Sequence, residues 1–89
     1  MPQDTAVENA KMEQMGRWLD AVADRLDVDP GIVAQDQDVL LDLIATVAHG
    51  PSRPGAPMTA FVVGYVAAST GRPVAEIAGE ITALADDWH

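Results

Sequence analysis

The 89-residue chain has no cysteine. Disulfide scaffolds, thiol redox chemistry, cysteine-ligated zinc and cysteine nucleophiles are therefore excluded. It is also poor in positive charge, with five Lys and Arg against fourteen Asp and Glu and a net charge of −9. That sign is wrong for a general DNA or RNA binder, whose affinity comes from cations set against phosphates. No apolar run is long enough for a bilayer, because the least polar stretch, Ala56 to Thr70, is interrupted by Pro57, Thr59 and Gly64. The opening residues MPQDTAVENAK have neither the basic start nor the apolar run of an export signal, so a cytoplasmic protein is expected. Hydrophobic residues make up 48% of the chain, ordinary for a globular domain and too many for a disordered one. At this length a single helical domain over 11–89 is expected, preceded by a flexible extension over 1–10.

The apolar spacing is helical throughout. Met12, Met15, Leu19, Val22 and Leu26 step by three and four, placing one stripe on a helix over 12–26. Thr5 and Glu8 have capping-box spacing that could start this helix earlier. Asp29-Pro30 reads as a cap and first-position proline opening a short turn. A helix over 37–49 follows, carrying Leu40, Leu41, Leu43, Ile44, Val47 and Ala48. Acids at its start and His49 at its end both suit its dipole, and Gly50-Pro51 stops it. The loop 50–57 is rich in Pro and Gly. Pro57 can begin a helix over 57–70, which carries no charge and no polar face, the pattern of a helix buried on all sides. A last helix over 73–87 places Val74, Ile77, Ile81, Leu84 and Trp88 on one stripe. The expected fold is an all-α, small antiparallel four-helix bundle with helix 57–70 at its centre. Phe61, Val62, Val66 and Leu43 are expected among the most buried residues. Core packing is the default for Trp18, Phe61, Tyr65 and Trp88.

The charge is unevenly placed. Between Asp42 and Glu76 there is no acid, while His49, Arg53 and Arg72 fall there, so that window carries +2 and the remainder −11. His49, Arg53, Thr59 and Arg72 around the start of helix 57–70 form the one cluster resembling an anion site. There, free N–H groups and an arginine fork would meet a phosphate. The plain alternative is structural: the flanking arginines pair with acids of the helices over 12–26 and 73–87, and Arg53 ties the loop to carbonyls at the end of helix 37–49 or to an acid of another helix. That reading is favoured, since charge clusters without a motif usually hold a fold together.

Other constellations carry less. Asp86, Asp87 and His89 offer metal donors, but a chain end is usually mobile and a metal needs about four convergent ligands. Asp36 and Asp38 lack the Gly and Glu of a calcium loop. His49 and Ser52 could be imagined as base and nucleophile, with nothing to supply an oxyanion hole. The loop lacks the Gly-Lys-Ser/Thr ending of a phosphate-binding loop. An acyl or peptidyl carrier protein is small, acidic and four-helical, but needs a serine at the start of its second helix. Here Asp36-Gln-Asp-Val-Leu40 has none. No catalytic residue, metal or cofactor is expected.

Three stretches together carry a resemblance: Trp18-Leu-Asp-Ala-Val-Ala-Asp-Arg-Leu-Asp-Val-Asp-Pro30, Leu41-Asp-Leu-Ile-Ala-Thr-Val-Ala-His-Gly50, and Arg53-Pro-Gly-Ala-Pro-Met-Thr-Ala-Phe-Val-Val-Gly-Tyr65. The set resembles a family of actinobacterial domains of unknown function, found alone or fused C-terminal to nucleotidyltransferases that look like molybdenum-cofactor guanylyltransferases. The resemblance runs from about Met12 to Trp88. It implies a cytoplasmic accessory module near nucleotide or molybdopterin chemistry.

Two functions follow as expectations. One is a non-catalytic helical interaction module that docks on a partner, a nucleotidyltransferase or another cytoplasmic protein. The other is a small anion- or nucleotide-binding domain using the 49–57 loop and the start of helix 57–70. Neither nucleic acid nor a membrane is an expected partner. A homodimer is a third expectation, because so apolar a helix in so small a bundle could leave surface uncovered.

Overall fold

Five helices account for the regular structure of the described residues: α1 (Pro2–Leu26), α2 (Gly31–Ala34), α3 (Gln37–His49), α4 (Gly55–Thr70) and α5 (Val74–Asp86). The computed structural model describes the backbone of residues 2–89 and the side chains of residues 6–89. No strand occurs among them, so the domain is all-α. By packing, the chain divides into two compact units, residues 1–35 and 36–89.

In the first unit, α1 begins well before its apolar stripe. Residues 3–11 contain no glycine or proline to break a helix, and Ala6, Glu8, Ala10 and Lys11 are strong helix formers, so the helix extends through them. Lys11 lies 3.8 Å from Glu8 on the same exposed face. The helix is already running at Thr5, so the Thr5–Glu8 spacing does not start it. The flexible extension expected over 1–10 falls partly on Met1 and the side chains of residues 2–5, which lie outside the described residues; the backbone from Pro2 is helical. Of the stripe, Met15, Leu19 and Val22 are half-buried, whereas Met12 and Leu26 are exposed. The helix ends in a paired cap. Val28 N–H donates to the Ala23 carbonyl at 2.9 Å and Asp27 N–H to that of Asp24 at 3.3 Å. This motif demands a left-handed residue between them, supplied by Asp27 at φ 57° rather than by glycine. The Asp29 carboxylate then accepts the Gly31 N–H at 2.9 Å, which opens α2 where Asp29-Pro30 predicts a turn.

In the second unit, α3 packs against both α4 and α5, while α4 and α5 meet less extensively. Its core is Leu43 and Val47 of α3, Ala56 and Val63 of α4, and Ile77, Ala78 and Ala85 of α5. Leu43 and Val63 are the largest fully buried side chains. The central helix is therefore α3, which corrects the expectation that helix 57–70 holds that place. Within α4, small residues turn inward: Ala56 and Val63 are buried and Ala60 and Ala67 half-buried. Its large residues turn outward. Phe61 and Val62 are 74% and 55% exposed, against the expectation that they lie in the core. The expectation of core packing fails likewise for Trp18, Tyr65 and Trp88, all more than 60% exposed. The physical reason is that close helix approach favours short side chains. A helix apolar all round has no polar face to prevent it from turning its small side inward.

The turns are tied locally. Ser52 Oγ accepts the Gly55 N–H at 3.1 Å, starting α4 two residues ahead of Pro57. At Gly50 a Cβ would stand 3.0 Å from the Thr46 carbonyl, so the tight exit from α3 suits glycine. Gly71 closes α4 in the left-handed region at φ 77° and donates its N–H to Ala67 at 2.9 Å.

Candidate interaction surface

The uncharged sequence of α4 and its inward-facing small side together produce an exposed apolar face. Met58, Phe61, Val62 and Tyr65, spaced i, i+3, i+4 and i+7, lie on one side of the helix and are all exposed. Beside them runs a groove of about 540 Å³ between α4 and α5. Met58, Val62, Val63 and Val66 form one wall and Ile77 and Ile81 the other. A second depression, about 170 Å³, shares Thr59 and Ile81 with it and continues to Leu84 and Trp88. Leu84 and Trp88, placed on the inward stripe by their spacing, are 54% and 61% exposed because Ala78 and Ala85 take the core side of α5. An apolar surface this continuous differs from the single exposed hydrophobics normal on any protein.

Two charged side chains, Arg72 and Glu80, border the groove. Arg72 donates through Nε and Nη2 to Glu76 Oε1, at 3.1 and 2.9 Å, and through Nη2 to Glu80 Oε2 at 2.6 Å. These bonds, to Glu80 first and then Glu76, hold the guanidinium pKa above its ordinary value. Two carboxylates thus share one cation, leaving the cluster one negative charge. The Arg72 backbone N–H also donates to Thr70 Oγ1 at 3.2 Å, fixing the α4–α5 turn.

The four residues singled out for anion binding are engaged differently. The His49 ring donates from Nδ1 to the Ala45 carbonyl at 2.8 Å, at the end of α3. The Thr59 hydroxyl donates to the Gly55 carbonyl at 2.8 Å inside α4. Arg72 is held by its two glutamates. Thr59 and Arg72 line the α4–α5 groove, while His49 lines a different depression with Asp86 and Trp88. Arg53 is exposed and, among the described residues, makes no side-chain hydrogen bond or ion pair. The loop tie to α3 expected of Arg53 is made instead by the Ser52 backbone N–H, which donates to the Val47 carbonyl at 3.0 Å. The imagined His49–Ser52 pair has its atoms committed to Ala45 and Gly55. Among the described residues, no three His, Asp or Glu side chains gather as metal donors. No helix there is long and apolar enough to cross a membrane. Uncovered apolar surface on helix 57–70 was among the expectations, but the groove beside it was not, and the i, i+3, i+4, i+7 spacing of the large residues in α4 is the signal that places the exposed face.

These features define an all-α domain whose distinctive surface is apolar and lies on α4 and α5. A family model for domains of unknown function, DUF6457, matches residues 10–89, and the chain belongs to that family. No curated protein and no solved structure matches the chain.

Proposed function

We propose that the domain is a non-catalytic helical interaction module that docks on a partner through the apolar surface of α4 and α5. The observation that carries this reading is the exposure of Met58, Phe61, Val62 and Tyr65 together with Leu84 and Trp88 on one small unit. Contiguous apolar surface of this kind commonly marks a binding site, because covering it releases water. The surface offers shape and apolar area but almost no polar groups to orient a reacting substrate, which suits docking better than chemistry.

The resemblance set out above extends the proposal. As an actinobacterial, cytoplasmic accessory module, the domain would act beside a nucleotidyltransferase of the molybdenum-cofactor guanylyltransferase type. A direct test is calorimetric titration of the purified domain with such an enzyme from the same source. Binding that disappears in Leu84→Asp, with helicity and melting temperature retained, is the expected outcome. Leu84 is more than half exposed, so this substitution reads docking rather than folding. Full binding by that variant would remove the α5 end of the surface from the proposal.

A further inference from the structure

We propose that a second copy of this chain covers the outer face of α4, packing its own α4 against it in antiparallel fashion. The inference rests on reading this face as an interaction surface and names its occupant. Three observations point to a copy of the same chain.

The first is charge. The chain carries −9, and two copies repel wherever acids meet. Helices α1, α3 and α5 all bear acids, whereas α4 has no charged residue from Gly55 to Thr70. Apart from the single-turn α2, α4 is the one helix on which two copies can approach without placing like charges opposite each other.

The second is self-complementarity. In a two-fold interface, a contact from residue i to residue j is repeated from j to i. A two-fold axis between Phe61 and Val62 pairs Met58 with Tyr65 of the second copy, and Phe61 with Val62. Every large exposed residue of the stripe then meets another, and the Met–Tyr pair places a thioether on an aromatic ring.

The third is what lies at the ends. In the antiparallel arrangement the loop before one α4, with Arg53, meets the end of the other α4, just beyond which the Arg72–Glu76–Glu80 cluster stands. That cluster has one carboxylate more than it has cations, and Arg53 has no ion pair of its own among the described residues. The dimer would thus supply each cluster with its missing cation. Buried aromatic side chains contribute about 150–250 Å² each. Two rings per copy, roughly two-thirds exposed at present, therefore make a small interface and a micromolar rather than nanomolar dimer.

The experiment is sedimentation equilibrium of the full chain from about 1 to 500 µM, a range that brackets micromolar association. The mass should rise from 9.4 kDa toward twice that value. Phe61→Asp should remain helical and stay monomeric throughout. Arg53→Glu should weaken the dimer about tenfold, and adding Glu80→Lys to it should restore most of the loss by reversing the pair. Because the chain has no cysteine, Val62→Cys offers a second readout that does not depend on those variants folding well. It should form a disulfide-linked dimer on mild oxidation, while Ala68→Cys, away from the axis, should not. A monomer at every concentration, or cross-linking of both cysteine variants alike, overturns the dimer. A monomer that still binds the nucleotidyltransferase overturns it alone, whereas a monomer that binds no partner removes the interaction surface as well.

Discussion

Helices α3 and α4 are both apolar stretches of the second unit, and they meet opposite fates. In α3 the residues Asp38, Asp42 and His49 mark an outside, so Leu43 and Val47 are directed inward. In α4 nothing marks an outside. The neighbours decide its orientation, and they accept Ala56, Ala60, Val63 and Ala67 while its bulkiest residues stay exposed. A helix therefore needs polar residues to specify which of its apolar residues are buried. Summed apolarity identifies a segment that wants cover, but does not say that the same chain's core supplies it.

Adjacent positions of α4 give the sharpest way to break this contrast. Val63 is 1% exposed and Val62 is 55% exposed, although they are neighbours in sequence. Val63→Asp should unfold the second unit, since an unpaired buried charge costs several kcal/mol, comparable to the whole stability of a small domain. Circular dichroism at room temperature would register the loss. A folded Val63→Asp would mean that α4 is turned the other way.

The next effect in size belongs to α3. Leu43→Ala should lower stability by about 2–5 kcal/mol, the range for emptying a fully buried leucine site. Urea denaturation with an unchanged slope would assign that loss to the folded state. A loss under about 1 kcal/mol would deny α3 its central position. Val62→Asp, by contrast, should cost about 1 kcal/mol, because only part of the valine side chain leaves apolar surroundings. That measurement belongs at dilution, where self-association does not contribute to the melting temperature.

Boundaries were more legible in the sequence than orientation. Gly50-Pro51 and the acids before Val39 place α3 over 37–49, where it lies. The Asp29-Pro30 turn, the stop at Gly71 and the start of α5 after Pro73 follow from backbone chemistry that a few residues settle by themselves. The early start of α1 was only hinted at by the Thr5–Glu8 spacing, because residues 3–11 carry helix formers without an apolar stripe. The start of α4 at Gly55 is held by local bonds, Gly55 N–H to Ser52 Oγ and Ala56 N–H to the Arg53 carbonyl, that no apolar pattern announces. Which side of α4 faces inward depends on the shapes of α3 and α5, and no local pattern in α4 encodes it. The Arg72 cluster was half legible. The expected pairing of arginines with acids of helices 12–26 and 73–87 holds for Arg72, whose partners Glu76 and Glu80 lie one and two helical turns beyond it, but not for Arg53, which has no ion pair among the described residues.

The smallest expected effect concerns Arg53, on the loop that joins α3 to α4. A proline-rich loop offers few donors of its own, and an arginine bonded to the carbonyls of α3 would contribute about 1–3 kcal/mol. Instead the Ser52 backbone N–H donates to the Val47 carbonyl of α3 at 3.0 Å, the Ser52 hydroxyl accepts the Gly55 N–H, and the Arg53 side chain is left exposed. Arg53→Ala should therefore change the stability of the dilute protein by no more than about 0.5 kcal/mol, as for an ordinary surface substitution. Ser52→Ala, which removes a helix-starting acceptor, should cost about 1 kcal/mol. Thermal melts of the two variants side by side measure the difference directly. If Arg53→Ala proves the more damaging of the two, the arginine anchors the loop in solution and is not free to meet a second copy. If it is silent in dilute melts yet weakens self-association in sedimentation, the residue belongs to the surface of α4 rather than to the core around α3.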